Sequence, residues 1–159
     1  MKNLRSLALS AVVFAALFVS SASAKPGWLT NFKEAQDEAK ANKKLLLLDF
    51  TGSDWCGWCI KLEREVFAKP EFKEYASKNL ILLEVDFPRG KDLPGTQKVQ
   101  NNHLAQQYGV QGFPTIIVLD GEGKRLAELG YEAGVPADAR DMKATPEAFI
   151  ATLEKLRKG

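Results

Sequence analysis

Apolar positions in this chain recur with two periods, and the alternation between them sketches the architecture. Phe32, Ala35 and Ala39 follow Asn31-Phe32-Lys33-Glu34, a capping-box pattern, so a helix is predicted to about Asn42. Leu45-Leu46-Leu47-Leu48 is too short for a helix of its own and reads as a central strand buried on both faces. Cys59, Leu62, Val66 and Phe67 return to helical spacing, with Pro70 expected to kink or divide that helix. Residues 80–87 form a second predicted strand. Leu104, Ala105 and Tyr108 lie on a helix ending near Gly109, and residues 115–119 form a third strand. Asp120-Gly121-Glu122-Gly123 is a hairpin turn into a fourth strand over residues 124–129. Thr145-Pro146-Glu147 opens the last helix with a cap residue, an N1 proline and an early acid. Residues 88–100, rich in Gly, Lys, Asp and Gln, read as a solvated loop, as do residues 131–143. The predicted order is α-β-α-β-α-β-β-α, an α/β fold with a central mixed β-sheet flanked by helices.

The first residues read as an address. Lys2 and Arg5 precede a mostly apolar stretch over residues 7–19, broken only by Ser10, and Ala22-Ser23-Ala24 supplies a small-x-small cleavage pattern. Those 13 residues fall short of the roughly 20 that a spanning helix needs. No cysteine stands at the cleavage point, so a lipid anchor is not expected. The expected organisation is a secretory signal peptide over residues 1–24 and one domain over residues 25–159, placed in the periplasm or secreted. The formal net charge of +2 includes Lys2 and Arg5, leaving a nearly neutral mature chain. That balance gives no electrostatic case for nucleic acid or an anionic membrane surface.

The chemistry centres on Trp55-Cys56-Gly57-Trp58-Cys59, which holds the only two cysteines. If Cys56 opens a helix, Cys59 lies one turn on and within disulfide reach. Unsatisfied N–H groups and the helix dipole then favour the Cys56 thiolate. A thiolate facing a second thiol can attack a substrate disulfide and be released by its neighbour, which is thiol–disulfide exchange. A zinc site would need two further ligands, and His103 is the only histidine. A c-type haem needs histidine where Ile60 stands. An inert disulfide over so short a segment would restrain little chain entropy. No metal or cofactor is expected, and His103 reads as a surface helix residue.

Asp49-Phe50, the CxxC, and Gly112-Phe113-Pro114-Thr115 before an apolar strand and hairpin together resemble the thioredoxin superfamily. The resemblance spans roughly residues 32–158. It is especially similar to exported thioredoxin-like proteins and to the periplasmic C-terminal domain of transmembrane disulfide reductases, and it implies a thioredoxin fold. It further implies that Cys56 is the exposed attacking cysteine and Cys59 the buried resolving one. It makes Phe113–Pro114 a cis-proline loop offering its backbone to an extended substrate strand. Trp55, Trp58 and Phe113 would then form an apolar substrate-binding rim. It casts Asp49 as a buried acid exchanging a proton with Cys59; read only as a strand-end residue, Asp49 would sit in partial solvent. Two departures stand out: the connection 51–54 is one residue longer than usual, and the strand after the CxxC helix lacks the lysine often paired with that acid.

The expected function is an exported protein thiol–disulfide oxidoreductase, most simply a reductase. Trp58 cannot stabilise a thiolate as a histidine there would, which argues against a strong oxidant. An oxidase or isomerase using the same residues is one alternative, and a non-catalytic binding module using the cis-proline face is another. Expected partners are protein substrates carrying disulfides or thiols and a redox partner protein at the membrane. The chain itself is expected to be a monomer.

Overall fold

The computed structural model describes residues 25–158. The signal peptide expected over residues 1–24 lies outside them. Nine principal elements follow in chain order: α1 (Phe32–Asn42), β1 (Leu45–Thr51), α2 (Gly57–Leu62), α3 (Pro70–Asn79), β2 (Leu80–Asp86), α4 (Gly95–Tyr108), β3 (Thr115–Leu119), β4 (Arg125–Leu129) and α5 (Pro146–Lys158). The sheet order is β2-β1-β3-β4. β1 runs parallel to β2 and antiparallel to β3, and β4 returns antiparallel beside β3. This mixed four-stranded sheet between helices is a thioredoxin fold.

Local chemistry explains the boundaries. Asn31 Oδ1 accepts from the Glu34 N–H at 3.0 Å, starting α1 as its cap. Thr145 Oγ1 accepts from the Ala148 N–H at 3.3 Å at the start of α5. Asp120 Oδ1 accepts from the N–H groups of Glu122 and Lys124, both at 2.9 Å, which closes the β3–β4 hairpin. The helix predicted to follow the CxxC is indeed divided. A π-turn over Glu63–Phe67 ends α2, with the Ala68 N–H donating to the Glu63 carbonyl at 2.8 Å, and Pro70 restarts the chain as the first residue of α3.

Strand β1 is buried along its whole length, so alternate residues feed two cores. Leu45 and Leu47 face one side with Leu62, Val66, Phe67, Phe72 and Phe149, beneath α2, α3 and α5. Leu46, Leu48 and Phe50 face the other with Ala35, Ala39 and Leu104, beneath α1 and α4. Each large side chain fully enclosed this way contributes roughly 1.5–3 kcal/mol.

Two segments differ from the sequence expectation. Residues 88–100 are not all loop, because α4 already begins at Gly95. Its first turns carry no apolar stripe, and Val99 is exposed. They are docked by polar contacts instead: Gln100 accepts from the Phe32 N–H and donates to the Thr30 carbonyl, each at 2.9 Å. Residues 131–143 are not simply a surface loop either. Tyr131–Gly134 form a 3-10 turn in which Tyr131 is buried and donates its hydroxyl to Glu65. Hydrophobic periodicity is blind to both attachments because the atoms that hold them are polar.

Candidate active site

Strand β1 leads directly into the dithiol. The Gly52 carbonyl accepts from the N–H of Trp55 at 3.2 Å and of Cys56 at 2.9 Å, turning the chain into α2. A side chain at position 52 would meet the Trp55 indole at 2.5 Å, so the turn needs glycine for that ring to lie across it. Two buried or anchored acids fasten the connection. Asp86 accepts from the Ser53 N–H at 2.9 Å and its hydroxyl at 2.6 Å. Asp54 accepts from the backbone N–H groups of Arg89 and Gly90, at 3.0 and 2.6 Å, and those donors hold its carboxyl below the usual range.

Cys56 is the N-cap of α2, and its sulfur accepts from the Cys59 N–H at 3.2 Å. Cys56 and Cys59 form a disulfide, with Cα atoms 5.2 Å apart. The expected contrast of an exposed and a buried cysteine is not present in this oxidised state. Cys56 is 7% exposed and Cys59 5%, because each bonded sulfur covers the other. What distinguishes the two is position: Cys56 precedes the helix and its sulfur receives an N–H, whereas Cys59 lies within the helix.

The aromatic residues divide around this disulfide. Trp55, 38% exposed, donates its indole N–H to the Phe87 carbonyl at 2.8 Å and meets Phe113 edge-on at 6.0 Å between ring centres. Phe113 in turn stacks on Phe87 at 5.1 Å, and the Arg89 guanidinium lies 3.7 Å above the Trp55 ring. Trp58, 53% exposed, turns instead toward Tyr131 at 4.9 Å, with Lys61 over both rings. The single rim expected of Trp55, Trp58 and Phe113 is therefore two clusters: Trp55 and Phe113 come together and Trp58 stands apart. The Phe113–Pro114 peptide is cis, and Thr115 closes the turn by donating its hydroxyl to the Gly112 carbonyl at 2.8 Å.

Asp49 is buried, at 3% exposure, on the sheet face that carries Leu45 and Leu47 and packs against α2. Lys25 Nζ lies 3.5 Å from its Oδ2, and its Oδ1 is buried without a hydrogen-bond partner. The same ammonium lies 2.9 Å from Glu63 and 3.2 Å from Glu84. Glu84 is the β2 residue in register with Asp49. Burial pushes the Asp49 carboxyl up to about 6, opposed by Lys25 and reinforced by Glu84 and Glu63. Burial likewise raises Glu84, again against the pull of Lys25. For Lys25 burial opposes the charge, but the three carboxyls outweigh it and hold the ammonium above the usual lysine range.

Lys25, Glu63 and Glu84 escaped the sequence reading. A lone acid inside the apolar run of β2 was the available signal for Glu84; nothing local marks Lys25, which reaches Asp49 from 24 positions away. Among the described residues no group of His, Cys, Asp and Glu side chains is arranged to hold a metal ion, and no helix is long and apolar enough to cross a membrane.

A buried strand ending at a helix-capping CxxC, faced by an aromatic–cis-proline turn, defines the thioredoxin class of domain. The family model described as a thioredoxin-like domain matches residues 32–139, and the chain belongs to that family. It is 43% identical over 104 residues to the disulfide bond reductase DsbH of Chlamydia pneumoniae, covering 65% of this chain and 63% of that protein. It is 29% identical over 110 residues to the thioredoxin-related protein DsbJ of the same organism, covering 67% of this chain and 32% of that one. The chain thus spans less than two thirds of the length of both curated relatives. A solved structure of a DsbH oxidoreductase superposes with a TM-score of 0.71 at 32% identity, covering 99% of this chain and 94% of the other.

Proposed function

We propose that this chain is an exported thiol–disulfide oxidoreductase acting as a reductase of protein disulfides. The observation that carries this reading is the Cys56 sulfur at the helix cap, receiving the Cys59 N–H and bonded to Cys59 itself. A negative charge on Cys56 would be stabilised by that N–H. The similarity to a protein named as a disulfide bond reductase and the absence of a cationic residue between the cysteines favour the reducing direction. The expected export signal places the reaction in the periplasm or outside the cell, with a dithiol partner at the membrane supplying electrons.

In the reducing cycle the Cys56 thiolate attacks one sulfur of a substrate disulfide. A Cys56–substrate disulfide forms, and the other substrate sulfur leaves as a thiolate. Cys59 then loses its proton to Asp49 and attacks the Cys56 sulfur. The mixed disulfide breaks, the substrate leaves as its second thiolate, and the Cys56–Cys59 disulfide of this structure remains. Two electrons pass from the dithiol to the substrate, and the departing thiolates take up two protons. Trp55, Phe113 and Pro114 form the surface on which an extended substrate strand lies, with Trp58 offering a second apolar contact beside it.

Cys56→Ser abolishes insulin reduction while leaving the circular dichroism spectrum intact. Cys59→Ser instead accumulates mixed disulfides with substrate. Faster alkylation of Cys59 than of Cys56 in the reduced protein would reverse the roles. A reduction potential nearer to about −270 mV, as in thioredoxin, than to about −120 mV supports the reducing direction. A value near the upper figure makes the protein an oxidase.

A further inference from the structure

Asp49 and the three charged groups around it, Lys25, Glu63 and Glu84, are arranged in a way the exchange chemistry alone does not require. Asp49 and Glu84 are opposite one another across the parallel β1–β2 pair, and both are almost wholly buried. Two adjacent buried carboxyls cannot both ionise cheaply. Lys25 Nζ lies between them, 3.5 and 3.2 Å away, and ties both to Glu63 in the π-turn after α2 at 2.9 Å. Its ammonium also lies 4.8 Å from the Trp28 ring centre. With one cation and two buried acids, the least costly state near neutrality keeps one proton on the pair. The unpartnered Asp49 Oδ1 is a place for it.

The route by which Lys25 arrives is as specific as its contacts. The Leu29 N–H donates to the Leu82 carbonyl at 2.8 Å, and the Leu29 carbonyl accepts from the Glu84 N–H at 2.9 Å. The segment before α1 is therefore laid on the outer side of β2, at the residue that carries the second carboxyl. The Trp28 N–H donates to the Lys25 carbonyl at 2.9 Å, folding the chain back so that the lysine side chain enters the sheet face. The cation that faces the two carboxyls thus comes from outside the sheet.

We propose that Lys25 is a positioning residue for disulfide exchange: it holds Asp49 and Glu84 as one proton-sharing pair on the α2 side of the sheet and sets how readily that pair takes the proton of Cys59. This rests on the reading of Asp49 as the acid that serves Cys59. In the resolving step the Cys59 thiol gives its proton to the pair, and the resulting thiolate displaces the substrate thiolate from Cys56. The charged groups facing the pair are Lys25 from the N-terminal segment, Glu63 from the π-turn, Asp86 from the end of β2, and Lys91, which pairs with Asp86 at 3.0 Å.

Two readouts on the full chain test this: carbon-13 titration of the Asp49 carboxyl, and the rate of the resolving step against pH. Lys25→Met raises the Asp49 midpoint by about 1–3 pH units, and resolution at pH 7 slows with the ionised fraction, about twofold for one unit and about tenfold for two. Lys25→Arg restores both, because it restores the charge. Glu84→Gln moves the midpoint the opposite way, downward, and stands as the test if Lys25→Met does not fold. A folded Lys25→Met protein with an unmoved midpoint overturns the proposal, as does an unmoved midpoint in Glu84→Gln. A moved midpoint with an unchanged resolution rate also overturns it, because the pair would then not serve Cys59. Failure of the native chain to reduce insulin overturns the underlying reading instead, and the titration distinguishes that result from a failure of Lys25 to act on Asp49.

Discussion

Asp49, two residues before the end of β1, and Asp86, the last residue of β2, are both almost fully buried, yet their surroundings are opposite. Asp86 has both oxygens engaged, by the Ser53 N–H and hydroxyl and by Lys91, and its own carbonyl accepts from Asn101 at 2.9 Å. Asp49 has one oxygen near a lysine and the other without a partner. The contrast separates two uses of a buried acid. Where every lone pair is met, the group fixes a loop in place; where one is left open beside a second carboxyl, the group can take and release a proton.

The largest effect should come from Asp86→Ala. It leaves the Ser53 donors without acceptors and frees the connection between β1 and the dithiol. Loss of two hydrogen bonds to a charged group costs about 3–5 kcal/mol, read by urea denaturation, and a loss below about 1 kcal/mol would erase the structural role. Asp49→Asn should do the reverse. The folded carboxyl titrates near 6 against an ordinary 3.8, so between those values the folded chain holds a proton that the unfolded chain has released. The stability contribution of this group therefore falls as pH rises through that window. Removing the charge should stabilise the protein by roughly 2–3 kcal/mol at pH 8, with the gain vanishing below about pH 4. The same variant should resolve mixed disulfides more slowly. A destabilised Asp49→Asn at pH 8 would place Asp49 with Asp86 as a purely structural acid. The smallest effect is Ser53→Ala, which removes one hydroxyl donor from Asp86 for about 1 kcal/mol and leaves the Asp49 midpoint unchanged.

The two acids also mark where sequence reasoning reaches its limit. Leu45–Leu48, the CxxC and the Pro114 turn are legible because they are local: an apolar run, a spacing, a proline before a strand. A mixed sheet flanked by helices follows from those elements and the family they resemble, whereas the strand order β2-β1-β3-β4 is seen only in the structure. The ionic arrangement around Asp49 is not local. Lys25 is brought there by the Leu29 pairing with β2, and Glu84 by strand register, neither of which a single linear pattern encodes. The start of α4 at Gly95 and the docking of Tyr131 on Glu65 were hidden for a related reason, since polar side chains do the work that periodicity assigns to apolar ones. The split of Trp58 from Trp55 depends on Tyr131 and Phe113, which meet them only after folding.

The pairing of Leu29 with β2 has a further consequence, for aggregation. The sheet order leaves β2 and β4 as its borders, and an open, apolar border strand invites the addition of a foreign strand. The N-terminal segment covers part of β2 through Leu29. β4 carries an ion pair between Arg125 and Glu128, and its register with β3 shifts between Val118 and Leu119. Any strand-forming chain that meets this sheet finds neither border open and apolar. With one border partly covered and the other charged and irregular, such chains have little opportunity to extend the sheet, and the fold is protected from edge-to-edge coassembly.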